Sequence, residues 1–159
     1  MKYGEMKRLF TIGYEGASLD GFLQALRDAD IDVLLDIRET AYSRRAEFGK
    51  KSLAGALAGA GMGYRHERKL GTPRLIRDKL RRDGDREAFK RAFMRHLEKQ
   101  NALLLELAES LSGNIALLCY EKDPRLCHRS LVAAALTEMT GLTPKHLTAK
   151  TVDPQRELF

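Results

Sequence analysis

Long apolar runs are missing from this sequence of 159 residues. Its longest ones, such as 115–119 and 131–136, fall well short of the roughly 20 residues that a transmembrane helix needs. The first residues also lack the apolar core of a signal peptide. We therefore expect a cytoplasmic protein that has no membrane partner.

Internal repeats, low-complexity tracts and Pro- or Ser-rich linkers are absent as well. The chain therefore shows no sign of a repeat array or of several domains. Its length suits one domain with one complete core. We assign residues 1–150 to that domain and residues 151–159 to a C-terminal tail.

Cysteine is scarce, and the sequence contains two, Cys119 and Cys127. In a chain without a secretion signal, such a pair is more typical of reduced thiols than of a structural disulfide. We therefore expect both sulfur atoms to be available for chemistry or for a metal.

Positive charge exceeds negative charge, and the formal net charge is +6. This excess favours an anionic partner, either a nucleic acid or a small phosphate ester. Many of the cations lie between residues 74 and 95, where they alternate with acidic and apolar residues. A solvated amphipathic helix explains most of this pattern, and a surface for a nucleic-acid backbone is the alternative.

Strand-like and helix-like segments alternate along the chain. Strands are predicted at 8–13, 32–38, 63–67, 114–121 and 146–148, and the core of the fourth is continuously apolar, as in a strand that is covered on both faces. Helices are predicted at 18–29, 52–60, 73–111 with a break near residue 84, and 128–139. The alternation predicts a single-domain α/β fold with an open, mainly parallel sheet and helices on both faces.

Polar residues follow three of these predicted strands. Open parallel sheets bind ligands at the carboxyl ends of their strands, and guanidinium groups suit phosphates and carboxylates. Each residue taken singly also has a structural explanation in a turn, the core or an ion pair. Their convergence predicts an anionic-substrate site formed by Tyr14, Glu15, Asp36, Arg38, Ser43, Arg44 and Arg129.

The segment from 119 to 130 is the densest in reactive residues. Cys127 lies at a predicted helix start, where backbone amides and the cations His128 and Arg129 stabilise a thiolate. Glu121 follows Cys119 by two residues on an extended segment, so it points to the same side and can act as a general acid or base. Cys119 also suits a small buried apolar residue. The predicted catalytic residues of a Cys-dependent hydrolase or transferase are Cys127, His128, Glu121 and Cys119.

A metal cofactor is a further option for these residues. Cys119, Cys127 and His128 would need a fourth ligand, namely Asp36, Glu121 or His66. The C-x-x-C spacing of a zinc site is absent, and we expect adjacent side chains at a helix start to diverge. The sequence therefore does not favour a metal.

Several short motifs recur in a known family. They are 11–16 (Thr-Ile-Gly-Tyr-Glu-Gly), 36–38 (Asp-Ile-Arg), Ser43-Arg44 with Phe48, Tyr64, Leu70-Gly71, and Cys119-x-Glu121 followed by Cys127-His128-Arg129. With them the sequence resembles the DUF488 family over nearly the whole chain. The resemblance implies an α/β fold and a shared polar site, without a settled reaction. Family members often have a proline shortly after the position of Arg38, where this chain has Glu39-Thr40-Ala41, so the path of this loop is less determined.

The tail contains a second motif, formed by Gln155, Leu158 and Phe159. It resembles the peptide by which bacterial repair and replication proteins bind the DNA sliding clamp. In such a peptide the two apolar side chains fill a pocket while the glutamine sets the register. Packing of Leu158 and Phe159 on their own domain is the alternative.

These observations favour a thiol-dependent enzyme that acts on a nucleotide or nucleic-acid substrate, in DNA repair or base modification, and is recruited by the clamp. A noncatalytic adaptor that binds a nucleic acid or an anion is one alternative, and a Cys/His metalloprotein is another. The three hypotheses differ in what Cys127 does.

Overall fold

The computed structural model describes residues 5–150. Its five strands are β1 (Met6–Gly13), β2 (Val33–Asp36), β3 (Gly63–His66), β4 (Gly113–Cys119) and β5 (Lys145–Thr148). All neighbours pair in parallel, in the order β3-β2-β4-β1-β5. The predicted parallel α/β fold is confirmed.

Helices cover both faces of the sheet, as predicted. They are α1 (Leu19–Asp28), α2 (Lys50–Gly59), α3 (Arg74–Asp83), α4 (Arg86–Glu98), α5 (Asn101–Ser110) and α6 (Arg129–Thr140). Successive residues of a strand point to opposite faces, and Ala116 and Leu118 of β4 accordingly pack with α1 and α2. Ile115 and Leu117 pack with α4, α5 and α6 on the other face. No helix within residues 5–150 is long and apolar enough to cross a membrane.

The helical region before β4 is broken twice, and the second break was not predicted. Gly84, with a φ of +64°, separates α3 from α4, in agreement with the break expected there. The chain also breaks at Lys99 and Gln100, without a glycine or proline. A straight helix over 86–110 would be about 37 Å long, whereas β4 spans about 24 Å. The second break keeps both α4 and α5 in contact with the sheet.

Three strand ends meet at one edge of the sheet, because β2, β4 and β1 are neighbours. Gly13, the last residue of β1, is the register partner of Cys119, the last residue of β4. Asp36 ends β2 beside Leu118. This edge therefore carries the residues that the sequence placed after the strands.

Candidate active site

A cavity of about 650 Å³ opens at this edge of the sheet. Of the described residues, five arginines line it, namely Arg38, Arg44, Arg45, Arg77 and Arg81, and we call it the arginine-lined cavity. Its wall contains seven of the predicted site residues: Tyr14, Arg38, Ser43, Arg44, Cys119, Glu121 and His128. Chain segments that are far apart in the sequence therefore form one site.

The other predicted residues of the described range 5–150 lie outside the cavity wall. Asp36, Cys127 and Arg129 are buried, and Glu15 is exposed with its carboxylate accepting a hydrogen bond from the Lys122 amide at 3.0 Å. The tail residues of the clamp motif, Gln155, Leu158 and Phe159, lie outside the described residues.

Gly13 lets β1 pass close to the loop that follows β4. A β-carbon at this position would overlap the carbonyl oxygen of Glu121 and would lie 2.6 Å from Nη1 of Arg129. A side chain at position 13 would therefore displace the loop, which explains why glycine ends the strand.

The sulfur atoms of Cys119 and Cys127 are joined in a disulfide. This differs from the expectation of two separate reduced thiols. The cause is the loop from 120 to 128, which folds back through a short 3-10 turn at Pro124–Leu126. Asp123 caps the turn by accepting a hydrogen bond from the Arg125 amide at 2.9 Å. The turn returns Cys127 to the end of β4.

His128 points towards the sulfur atoms from the N-cap of α6. Its Nε2 lies 2.8 Å from the carbonyl oxygen of Ile37, and its Nδ1 lies 3.6 Å from Sγ of Cys127. The expectation that the side chains of Cys127 and His128 diverge is therefore wrong. Burial lowers the pKa of His128 to about 4, so the imidazole is neutral near pH 7.

Arg129 is fully buried and holds the loop in place. Its Nε donates to Oγ1 of Thr11 at 3.1 Å, its Nη2 donates to the carbonyl oxygen of Lys122 at 3.0 Å, and its Nη1 donates to the carbonyl oxygen of Glu121. Nη1 also lies 3.4 Å from Sγ of Cys119. The guanidinium thus places one positive charge beside the sulfur, and burial lowers its own pKa.

Glu121 is an acid-base group beside Cys119. Its Oε2 lies 3.6 Å from Sγ of Cys119, within reach of a thiol proton once the disulfide is reduced. Burial raises the pKa of Glu121, and the charge of Arg129 opposes the shift. A carboxyl group in this position can accept the thiol proton and return it later.

Asp36 and Arg38 form a buried ion pair, in which Arg38 belongs to the cavity wall and Asp36 lies behind it. Arg38 donates to Asp36 from Nε at 2.9 Å, from Nη2 at 2.7 Å and from its backbone amide at 3.1 Å. Tyr64 donates its hydroxyl to the same carboxylate at 2.5 Å, and burial together with this bond raises the pKa of Tyr64. His66 contacts the carbonyl oxygen of Arg38 at 2.7 Å. Asp36 and His66 therefore both form hydrogen bonds with Arg38 and are not placed as ligands beside the sulfur atoms.

Sequence reasoning missed part of the cavity wall. Arg77, Arg81 and Phe89 come from the helical region that was interpreted mainly as a solvated face. Tyr42 and Tyr120, which are 72% and 49% exposed, also line the cavity. The i, i+4 spacing of Arg77 and Arg81 places them on one face of α3, but the sequence could not show that this face borders the strand ends.

The cations in the cavity differ in whether they have partners. Arg45 pairs with Glu47 at 3.0 Å, and Arg77 pairs with Glu39 at 3.4 Å. Arg44 is exposed and makes no hydrogen bond or ion pair with any residue of the described range 5–150. Its donors are therefore available to a ligand.

Comparison with curated proteins and comparison with solved structures gave no match. The model of the family described as "Domain of unknown function DUF488" matches residues 18–136. This range covers well over half of the chain and includes Asp36, Arg38 and the segment from Cys119 to Arg129. The chain therefore belongs to the DUF488 family.

Proposed function

We propose that the arginine-lined cavity is the active site of a thiol-dependent enzyme that acts on a nucleotide or nucleic-acid substrate, of the kind used in DNA repair or base modification. The observation that supports this most is the position of Cys119. Cys119 is one of the residues that line the cavity, and its Sγ lies 3.4 Å from Nη1 of Arg129 and 3.6 Å from Oε2 of Glu121. Both cysteines are buried, but Cys127 is not part of the cavity wall, so we assign to Cys119 the role that the sequence suggested for Cys127.

The chemistry begins after an external dithiol has reduced the Cys119–Cys127 disulfide to two thiols and has itself been oxidised. Glu121 accepts the proton of the Cys119 thiol, and the thiolate, stabilised by Arg129, attacks an electrophilic atom of the substrate. The leaving group departs with the bonding electrons and takes the proton from Glu121. Release of the covalent intermediate to water makes the enzyme a hydrolase, and release to another acceptor makes it a transferase.

The shape and charge of the cavity support a nucleotide-like substrate. Its volume of about 650 Å³ is in the usual range for small-molecule sites. Arg44 offers a guanidinium without a partner in residues 5–150, which suits a phosphate. The exposed rings of Tyr42 and Tyr120 can stack on a base.

Nucleotides should protect Cys119 from alkylation in the reduced protein. Arg44→Ala should raise the nucleotide concentration that is needed for this protection by about tenfold or more. The reason is the loss of a charged hydrogen bond to phosphate, which is worth about 1.5–3 kcal/mol. The measurement is iodoacetamide labelling of Cys119, followed by peptide mass spectrometry with mononucleotides or short single-stranded oligonucleotides present.

Arg27→Ala is the matched control, since Arg27 is an exposed arginine of α1 that does not line the cavity. Equal protection in the Arg44 and Arg27 variants, or no protection by any nucleotide, would contradict the proposed substrate class. If nucleotides bind and Cys119→Ser leaves every cellular or enzymatic effect intact, the adaptor hypothesis replaces the enzyme.

Recruitment by a sliding clamp stays part of the proposal. A bacterial clamp should bind the full chain, and the double variant Leu158→Ala, Phe159→Ala should lose this binding because both apolar anchors are gone. Surface plasmon resonance with immobilised clamp measures the effect. Glu157→Ala is the control, since this residue is not an anchor of the motif, and equal binding by the double variant would rule out the recruitment.

A further inference from the structure

We propose that the reduced site binds one thiophilic divalent cation, with Zn²⁺ as the type case, through Sγ of Cys119, Sγ of Cys127 and Nδ1 of His128. The three ligand atoms lie within 4.8 Å of one another. The inference rests on the same residues as the proposed function and adds a cofactor to that site.

Three separate elements bring the ligands together. Cys119 ends β4, Cys127 follows the 3-10 turn, and His128 caps α6. The Cα atoms of the two cysteines are 7.2 Å apart. Two thiolates on a tetrahedral zinc ion lie about 3.8 Å apart, given Zn–S bonds of about 2.3 Å. After reduction, this Cα separation leaves room for a cation between the sulfur atoms.

The surroundings of His128 prepare its Nδ1 as a ligand. A carbonyl oxygen only accepts hydrogen bonds, so the contact of 2.8 Å with Ile37 places the hydrogen on Nε2. The lone pair of Nδ1 then faces Sγ of Cys127, 3.6 Å away. Metal-binding histidines are commonly oriented in this way by a backbone carbonyl on the other ring nitrogen.

Arg129 orients the sulfur of Cys119, as the carbonyl oxygen of Ile37 orients His128. Its Nη1 lies 3.4 Å from the sulfur, where it can donate to a coordinated thiolate and orient it. Thiolate and imidazole ligands select zinc and similar ions over Mg²⁺ and Ca²⁺, which prefer oxygen. Within the described range, no carboxylate belongs to the group of ligand atoms.

A fourth ligand would reach the cation from the arginine-lined cavity. Cys119 and His128 both line the arginine-lined cavity, together with Glu121. Three protein ligands and one open position are the pattern of a catalytic zinc site, whereas a structural site has four protein ligands. Of the three candidates for a fourth ligand, Asp36 and His66 are held by Arg38, and Glu121 lies beside Cys119 but outside the ligand group.

Cobalt(II) titration of the full chain tests the site. Protein reduced with a phosphine should bind one Co²⁺ per chain, with absorption bands of tetrahedral cobalt and thiolate-to-cobalt charge transfer, and Zn²⁺ should displace it. Cys119→Ser and Cys127→Ser should each lose about half of the charge-transfer intensity, since each removes one of the two thiolates. His128→Asn should weaken Co²⁺ binding by about 100-fold or more. Loss of a group that only contacts a metal ligand has a smaller effect, about 10–100-fold.

His96→Asn is the matched control, because His96 lies outside the ligand group and contacts the carbonyl oxygen of Lys69. A second measurement avoids variants altogether: Zn²⁺ should protect Cys119 and Cys127 of the wild-type chain from alkylation together. The disulfide form, which has no thiolate to offer, should bind no cation at this site.

Absence of binding in the reduced wild type, or equal binding by the double variant Cys119→Ser, Cys127→Ser, would overturn the metal site. Nucleotide protection in the metal-free protein is measured separately. If nucleotides protect Cys119 but the reduced protein binds no metal, the proposed function stands and the metal site is wrong. If the metal binds but nucleotides do not protect Cys119, the metal site stands and the proposed substrate class is wrong.

Discussion

Asp36→Asn should lower the free energy of unfolding by about 3–5 kcal/mol, the usual cost of breaking a buried ion pair from one side. Asp36 is fully buried and Arg38 is 6% exposed, so the variant leaves a buried guanidinium without its counter-charge. Arg38 cannot lose its proton to relieve this. Urea denaturation of reduced, metal-free protein measures the change.

The chain contains a matched exposed pair for this experiment. Arg125 donates to Asp123 through the same three groups and at the same spacing of two residues, but the Arg125 side chain is 87% exposed. Exposed ion pairs contribute little because water and salt screen them. Asp123→Asn should leave stability nearly unchanged, and a similar loss in both variants would show that burial is not the cause.

Arg129→Met should lower the free energy of unfolding by about 2–4 kcal/mol and loosen the loop from 120 to 127. Methionine fills much of the same space but leaves the carbonyl oxygen of Glu121 and the hydroxyl of Thr11 without this donor. An unsatisfied buried polar group costs about 1–3 kcal/mol, while removal of a buried charge offsets part of the loss. Urea denaturation measures the stability, and hydrogen exchange of the loop amides measures the loosening.

Arg125→Met is the control for the loop. Arg125 belongs to the same segment, but its side chain is exposed and, among the described residues, pairs only with Asp123. We expect no change in exchange across residues 120–122 for this variant. If Arg125→Met and Arg129→Met speed up exchange equally, Arg129 does not hold the loop.

The position of the site was accessible from the sequence because parallel strands place their carboxyl ends at one edge. The continuously apolar run in β4 predicted a buried strand. Cys119 is the last residue of this strand, and Glu121 follows two residues later. A local hydrophobic pattern is sufficient to predict such a strand, because a short segment that is apolar throughout is typical of a strand buried on both faces. The two-residue spacing also correctly placed Glu121 near the sulfur.

The role of an individual arginine was not accessible in the same way. Arg44 and Arg129 both belong to short motifs beside predicted strand or helix ends, and their side chains are chemically identical. One is exposed on the cavity wall, whereas the other is fully buried among loop carbonyls. The difference depends on β1, whose Thr11 is 118 positions away from Arg129 in the sequence.

By itself, the sequence determined the alternation of strands and helices, the parallel sheet and the edge at which polar residues gather, because these follow from local periodicity and the direction of the strands. Only the tertiary structure decided that Cys119, Cys127 and His128 converge and that α3 and α4 complete the cavity. These contacts depend on how a loop folds back and how helices pack on the sheet. The loop is held by Arg129 and the packing by the core, and both act between residues that are distant in the chain.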